Sequence, residues 1–115
     1  MTVLKTISYD PKKIIAIVAK EFHISEIDIL DASISRHDIC DARYTVMYFV
    51  KLKNPGLSEA RIEAYFGCNY RACRVAKGAV QELLKKDYVF KLRFEICKIL
   101  ISQVVRTKPI GRPRK

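Results

Sequence analysis

The residues best suited to chemistry in this sequence are cations at helical spacing near its middle. Arg71, Arg74 and Lys77 recur every three residues, so on a helix they lie on one side. An arginine fork pairs with the O6 and N7 atoms of guanine, and lysine binds phosphate as a point charge. Solvated helix faces usually mix both signs of charge, whereas no acidic residue lies among these cations. The pattern favours a nucleic-acid contact, with Asn69 and Tyr70 beside it.

The whole chain is strongly basic. Its 115 residues include 22 lysines and arginines against 12 aspartates and glutamates, a formal net charge of +10 at pH 7. Half of the residues are hydrophobic, which is enough for one domain with an ordinary core. Such a domain suits a polyanion, because each neutralised phosphate releases a counterion. We expect double-stranded DNA rather than a membrane, since a membrane needs a free apolar helix face and every apolar stripe is expected in the core.

Catalytic and cofactor chemistry finds little support in the residue pattern. His23 and His37 could in principle pair with Cys40, but no local signature joins a nucleophile, a base and an orienting group. The four cysteines form no C-x-x-C pair and have no histidine at zinc-ligand spacing, so reduced thiols and no metal are expected. Neither a P-loop nor a G-x-G-x-x-G motif occurs. We therefore expect a binding protein that is not an enzyme and uses no cofactor and no nucleotide.

The sequence also bears on location. No apolar run approaches the roughly 20 residues of a membrane-spanning helix. The first 12 residues mix polar and charged side chains and show no signal-peptide pattern. The expected location is the cytoplasm, on the nucleoid.

An all-α fold, a bundle of five to six helices, is predicted. Glycine and proline are confined to a few turns, and the segments between them show helical periodicity. The turn Asn54-Pro55-Gly56 ends the third helix, because a residue before proline avoids the α conformation. The predicted helices cover residues 11–22, 26–30, 37–52, 59–65, 70–85 and 88–105, and the residues suited to cap them are Asp10, Ser25, Ser58, Asn69 and Asp87.

The fourth and fifth predicted helices are joined by a short turn that contains Gly67. Two helices joined in this way form a helix-turn-helix, whose second helix can lie in a major groove of DNA. Ser58, at the start of the first of these helices, is a further candidate DNA contact. The side of the second helix predicted to face the core carries Ala72, Val75, Ala76, Ala79, Val80 and Leu83.

Four segments resemble the C-terminal duplex-binding domain of the bacterial replication initiator DnaA. They are VAKEFxIS at 18–25, DARYTVMYF at 41–49, LS at 57–58 and IxxYFG at 62–67, in the order and near the spacing of that family. The resemblance covers roughly residues 11–84. It implies a helix-turn-helix that reads the major groove of short origin boxes, with a basic loop that sends an arginine into the adjacent minor groove.

The base-reading residues depart from that family. Its signature after Phe-Gly is glycine, a cation, aspartate, histidine and two hydroxyl residues, where this sequence has CNYRAC at 68–73. The usual initiator box is therefore not expected to be the target, and Tyr70, Arg71 and Arg74 would read another sequence. The loop that is basic in that family carries fewer cations in this sequence, and Arg36 is the candidate for its minor-groove contact. The ATPase module of the family is missing from this chain.

The last eight residues are similar to an AT-hook. Gly111-Arg112-Pro113 matches the core of that motif, although Ile110 stands where its first arginine belongs. Narrow A·T-rich minor grooves concentrate negative potential, which favours inserted arginine; a generic basic tail is the alternative. The expected organisation is a domain over residues 1–106 and a disordered tail over 107–115. The tail residues expected on DNA are Lys108, Arg112, Arg114 and Lys115.

Two functions stay open at this level. The first is sequence-specific binding of double-stranded DNA in replication initiation or its regulation. The second is a protein-interaction adaptor that binds an acidic partner or a full-length initiator; self-association is also compatible with the sequence. Both kinds of complex would weaken as salt rises, so preference for a DNA sequence discriminates between them.

Overall fold

The computed structural model describes residues 11–31, 33–68 and 71–105. Within these ranges there is no β-strand, and the expected all-α fold of five to six helices is confirmed. The elements are α1 (Pro11–Phe22), α2 (Glu26–Leu30), α3 (His37–Lys53), α4 (Glu59–Phe66), α5 (Ala72–Lys86) and α6 (Tyr88–Leu100), followed by a π-helical segment (Ile101–Val105). None of these described helices is both long enough and apolar enough to cross a membrane.

The predicted start of α5 is wrong. This helix begins at Ala72 rather than Tyr70, and Arg71 occupies the N-cap position in a left-handed conformation with φ of 78°. Asn69, the predicted cap, and Tyr70 lie outside the described residues, as do Asp10 and residues 107–115 of the predicted tail. The other differences are small: α3, α4 and α5 each end one residue later than predicted, and the last helix changes from α to π geometry at Ile101.

Helix α3 is the centre of the bundle. It packs against α1, α2, α4 and α5, and a helix surrounded in this way must be apolar on most of its circumference. Its buried apolar residues are Ile39, Ala42, Val46, Met47, Phe49 and Val50. The ring of Phe49 stacks on Phe94 of α6 with centroids 4.7 Å apart, and Phe22 of α1 meets Phe90 edge-on at 5.8 Å. These contacts join the first, central and last helices in one core.

A buried arginine on α3 holds α2 and the loop that follows it. The guanidinium of Arg43 donates hydrogen bonds to the carbonyl oxygens of Ile29 and Asp31 at 2.7 Å, and to those of Asp28 and Ile34 at 3.1 Å. Carbonyl groups at a helix C-terminus lack partners within the helix, and a cation there is favourable. Arg43 thereby fixes the path of the loop that carries Arg36.

The expectation that every apolar stripe is needed for the core is wrong for α6. Phe90, Phe94 and Cys97 do face the core, and α6 packs against α1 and α5. Its other side is nevertheless apolar and exposed, as shown by Leu92 at 47% and Ile99 at 55% exposure. Because α6 is the last long helix, no later described element covers that side.

Candidate nucleic-acid interface

The first helix of the predicted helix-turn-helix has well-defined ends. The Ser58 hydroxyl accepts a hydrogen bond from the backbone N–H of Arg61 at 3.2 Å, which confirms Ser58 as the cap of α4. At the other end Gly67 has φ of 66°, and the N–H groups of Gly67 and Cys68 donate to carbonyls in the last turn of α4 at 3.1 and 2.9 Å. Such a C-terminal motif needs a left-handed residue, for which glycine is the least strained choice.

The start of α5 is capped from α4. The side chain of Arg71 makes no capping hydrogen bond. Instead, the carboxylate of Glu63 accepts from the backbone N–H of Cys73 at 3.0 Å, and Glu63 is only 6% exposed. A negative charge near a helix N-terminus also interacts favourably with the helix dipole. Glu63 therefore explains why α5 begins where it does, and it fixes α5 relative to α4.

Glu63 was not expected from the sequence to act as a positioning residue. Its one sequence signal is its place between Ile62 and Phe66, which are both buried on the inner side of α4. An acidic residue there is ordinary for a helix edge. Glu63 acts as a cap only because α5 packs against α4. This packing brings the N–H of Cys73, ten residues further along the chain, to the Glu63 carboxylate.

The cationic side of α5 faces solvent. Arg71, Arg74 and Lys77 are all exposed, while Cys73, Ala76 and Val80 on the opposite side are buried. Within the described part of the chain, Arg74 and Lys77 have no ion-pair partner. The one acidic residue within α5 is Glu82, which lies further along the helix and pairs with Lys86 at 3.9 Å.

One residue of α5 lies on the exposed side of the helix, although the sequence predicted it on the core side. Val75 was expected in the core but is 53% exposed, in line with Arg71 and Gly78 along the helix. The cause is the rotation of α5, whose narrow buried stripe is filled by Cys73, Ala76 and Val80. At Gly78 an added Cβ would meet no described atom within 4 Å, so the glycine is not required by packing within the described chain.

Arg36 is exposed but already engaged. Its Nη2 lies 2.9 Å from Oδ2 of Asp38, and its Nε donates to Oδ1 of Asp38 at 3.3 Å. The hydrogen bond from Arg36 lowers the pKa of the Asp38 carboxyl below its usual value. This pair forms because Arg36 is the N-cap residue of α3 and Asp38 is in its first turn. Any minor-groove contact by Arg36 must compete with this intramolecular pair.

The predicted site residues thus fall into three groups. Ser58, Arg71, Arg74 and Lys77 lie on the α4–turn–α5 unit, and Arg36 lies on the separate loop before α3. The remaining predicted contacts lie outside the described residues; they are Asn69, Tyr70, Lys108, Arg112, Arg114 and Lys115.

The described residues also bear on metal and thiol chemistry. Among the described residues no three histidine, cysteine or acidic side chains cluster so as to hold a metal ion. All four cysteines are free thiols. Burial raises the pKa of Cys73 to about 11 and that of Cys97 to about 12, so both thiols stay protonated at neutral pH.

Comparison with protein-family models, with curated proteins and with solved structures gives no match to this chain. The resemblance to the DnaA C-terminal domain therefore rests on the four sequence segments alone.

Proposed function

We propose that this protein binds double-stranded DNA with α5 in the major groove. The observation that carries the proposal is the exposed, carboxylate-free pair Arg74 and Lys77, held outward by the buried opposite side of the same helix. The α4–turn–α5 unit supplies the two helices and the glycine turn of a helix-turn-helix. In such units the N-terminal residues of the second helix contact base edges, which is where these cations lie.

Five residues on or beside the exposed side of α5 are each given a contribution in this proposal. Arg71 and Arg74 carry the forked donors that pair with guanine, and Lys77 neutralises a phosphate. Val75, exposed among these cations, is suited to contact the methyl group of thymine. Gly78 leaves the helix backbone bare at the centre of this side, so the sugar-phosphate chain can approach closely.

We also propose contacts in the minor groove. Arg36 would exchange the Asp38 carboxylate for the narrow groove, and the AT-hook-like residues 108–115 would follow a neighbouring A·T-rich stretch. A role in replication initiation or its regulation is supported by the resemblance to the DnaA domain. The altered residues after Gly67 point to a target other than the usual initiator box.

Selection from a random pool of duplexes, carried out with the full chain and its variants, tests the proposal. Arg74→Ala should lower affinity for the selected site by roughly 5- to 200-fold, the equivalent of about 1–3 kcal/mol, and relax the preference at one base position. Lys77→Ala should weaken binding to all duplexes alike and reduce the slope of log affinity against log salt by about one. Lys20→Ala removes an exposed cation from α1 and serves as the charge-matched control.

The outcomes separate the two functions left open by the sequence. An enriched site that is lost in Arg74→Ala but kept in Lys20→Ala supports DNA reading by α5. Absence of any enriched sequence, or an unchanged preference in Arg74→Ala, contradicts it. Binding to polyglutamate as tight as to duplex DNA would instead favour the adaptor for an acidic partner.

A further inference from the structure

Helix α6 carries a second apolar stripe that the bundle does not use. Val89, Leu92, Ile96 and Ile99 are 43–57% exposed and are spaced three, four and three residues apart. At about 100° per residue, this α6 stripe lies roughly opposite the core-facing stripe of Phe90, Phe94 and Cys97. Alternation of three and four residues is the spacing with which two helices pack along each other.

The exposed area is large for a monomer of this size. With Tyr88 and Leu100 at its two ends, the patch contains six apolar residues that are each 37–73% exposed. Their combined apolar area is on the order of 500 Å², which is near the top of the range for the largest patch on a typical monomer. Two such patches facing each other would bury on the order of 1,000 Å², the size at which specific interfaces begin.

From this stripe we infer that two copies of the chain associate through α6. A two-fold contact places the same surface of each copy against itself, so the surface must be self-complementary. The apolar α6 stripe meets that requirement. One flank of the stripe carries the exposed residues Lys91, Glu95 and Lys98, so a glutamate of each copy can pair with a lysine of the other. A flank made only of cations would repel its own copy more strongly than this one, in which a glutamate accompanies the two lysines.

The chemistry of the flank also sets this surface apart from the DNA-binding one. On α5 the cations Arg74 and Lys77 stand without a carboxylate, as a phosphate-binding surface requires. On α6 a carboxylate lies between the lysines and the centre of the surface is apolar. A second copy of the chain fits this surface better than a nucleic acid does.

Sedimentation equilibrium of the full chain, without DNA, tests the inference. The wild-type protein should approach twice the 13.3 kDa mass of one chain as its concentration rises through the micromolar range. Leu92→Glu and the milder Ile96→Gln should both lose the dimer, because each places a polar group in the centre of the stripe. Ile27→Glu is the matched control, since it changes an isoleucine that is 77% exposed on α2, off the stripe. It should dimerise as the wild type does.

Each result decides the matter. A wild-type mass of one chain up to about 1 mM overturns the inference. So does an equal loss of dimer in Ile27→Glu, or a dimer that survives in a helical, folded Leu92→Glu variant. A monomeric wild type that co-sediments with phosphatidylglycerol vesicles, and loses this in Leu92→Glu, would assign the stripe to lipid instead. Because no DNA is present, any of these outcomes leaves the proposal for α5 standing.

Discussion

Arg36 has a side chain suited to a DNA contact, but in the structure that side chain is already paired with Asp38. The sequence identifies Arg36 as a cation in a loop that the DnaA resemblance assigns to the minor groove. The structure pairs its guanidinium with a carboxylate two residues away, and both side chains are more than half exposed. Exposed pairs of this kind are weak and screened by salt, so a phosphate-lined groove can displace Asp38.

Removing the competing carboxylate tests whether Arg36 reaches DNA. Asp38→Asn should raise the affinity for the selected duplex and steepen its salt dependence by about one phosphate equivalent, because Arg36 is then free to neutralise DNA. Anisotropy titrations at several salt concentrations measure both effects. Glu26→Gln, an exposed residue on α2, changes the net charge by the same amount without releasing Arg36. Equal gains in the two variants would mean that only net charge matters.

At the scale of elements, α5 shows which features of a helix the sequence predicts and which it does not. Its existence, its length within two residues and its cationic side follow from helical periodicity and the absence of acidic residues there. Its first residue and the outward position of Val75 do not. Both depend on contacts with α4 and α3, above all the Glu63 cap at 3.0 Å. Tertiary contacts of this kind have no local signature in the sequence.

The same limit applies to α6 and to Arg43. The core-facing stripe of α6 can be recognised in the sequence from its spacing of three and four residues. The second stripe has the same spacing, so the sequence alone does not show which of the two is buried. Arg43 occurs within one of the DnaA-like segments, yet its four carbonyl partners on α2 and the following loop lie 9–15 residues away. The sequence predicts the helices better than the contacts between them.

Gly78 offers a test at the scale of the helix. A glycine in an exposed helix interior lowers the stability of the protein by about 0.5–1 kcal/mol relative to alanine. At Gly78 the described chain leaves room for a Cβ. Gly78→Ala should therefore raise the thermal midpoint by a few degrees, as measured by circular dichroism. It should also weaken DNA binding if the backbone of α5 approaches the duplex at this point.

The control for Gly78→Ala is Gln81→Ala, an alanine substitution on the same exposed side that adds no atom near the backbone. A more stable Gly78→Ala protein with unchanged DNA affinity would show that the duplex does not approach Gly78. A less stable one would show that an unseen contact occupies the space.

At the scale of the whole molecule, two buried thiols give the fold a characteristic response to alkali. Cys73 packs between α5 and the rest of the core, and Cys97 lies on the core side of α6. Burial raises their pKa values to about 11 and about 12, whereas an unfolded thiol ionises near 8.5. Below about pH 7 both states hold their thiol protons, so these groups add no pH dependence there.

Above pH 9 the unfolded chain loses thiol protons that the native protein keeps, so the free energy of unfolding should fall with pH. Each thiol contributes a slope of about 1.4 kcal/mol per pH unit until its native pKa is reached. Urea unfolding at pH 7, 9 and 10 measures the slope. Cys73→Ala and Cys97→Ala should each make the slope shallower. The free energy of unfolding of each variant at pH 7 measures the pH-independent cost of the lost packing. An equally steep decline in both variants would assign the alkaline loss to other groups.

Combined with the proposed DNA binding by α5, the proposed pairing through α6 would constrain the DNA target as well as the protein. Two α5 helices related by a dyad read the same bases on opposite strands, so the preferred target would be an inverted repeat. The centre-to-centre distance of its halves would be a whole number of turns of the double helix, set by the span from one reading helix to the other. The two-fold symmetry of the α6 contact would then require a palindromic DNA site.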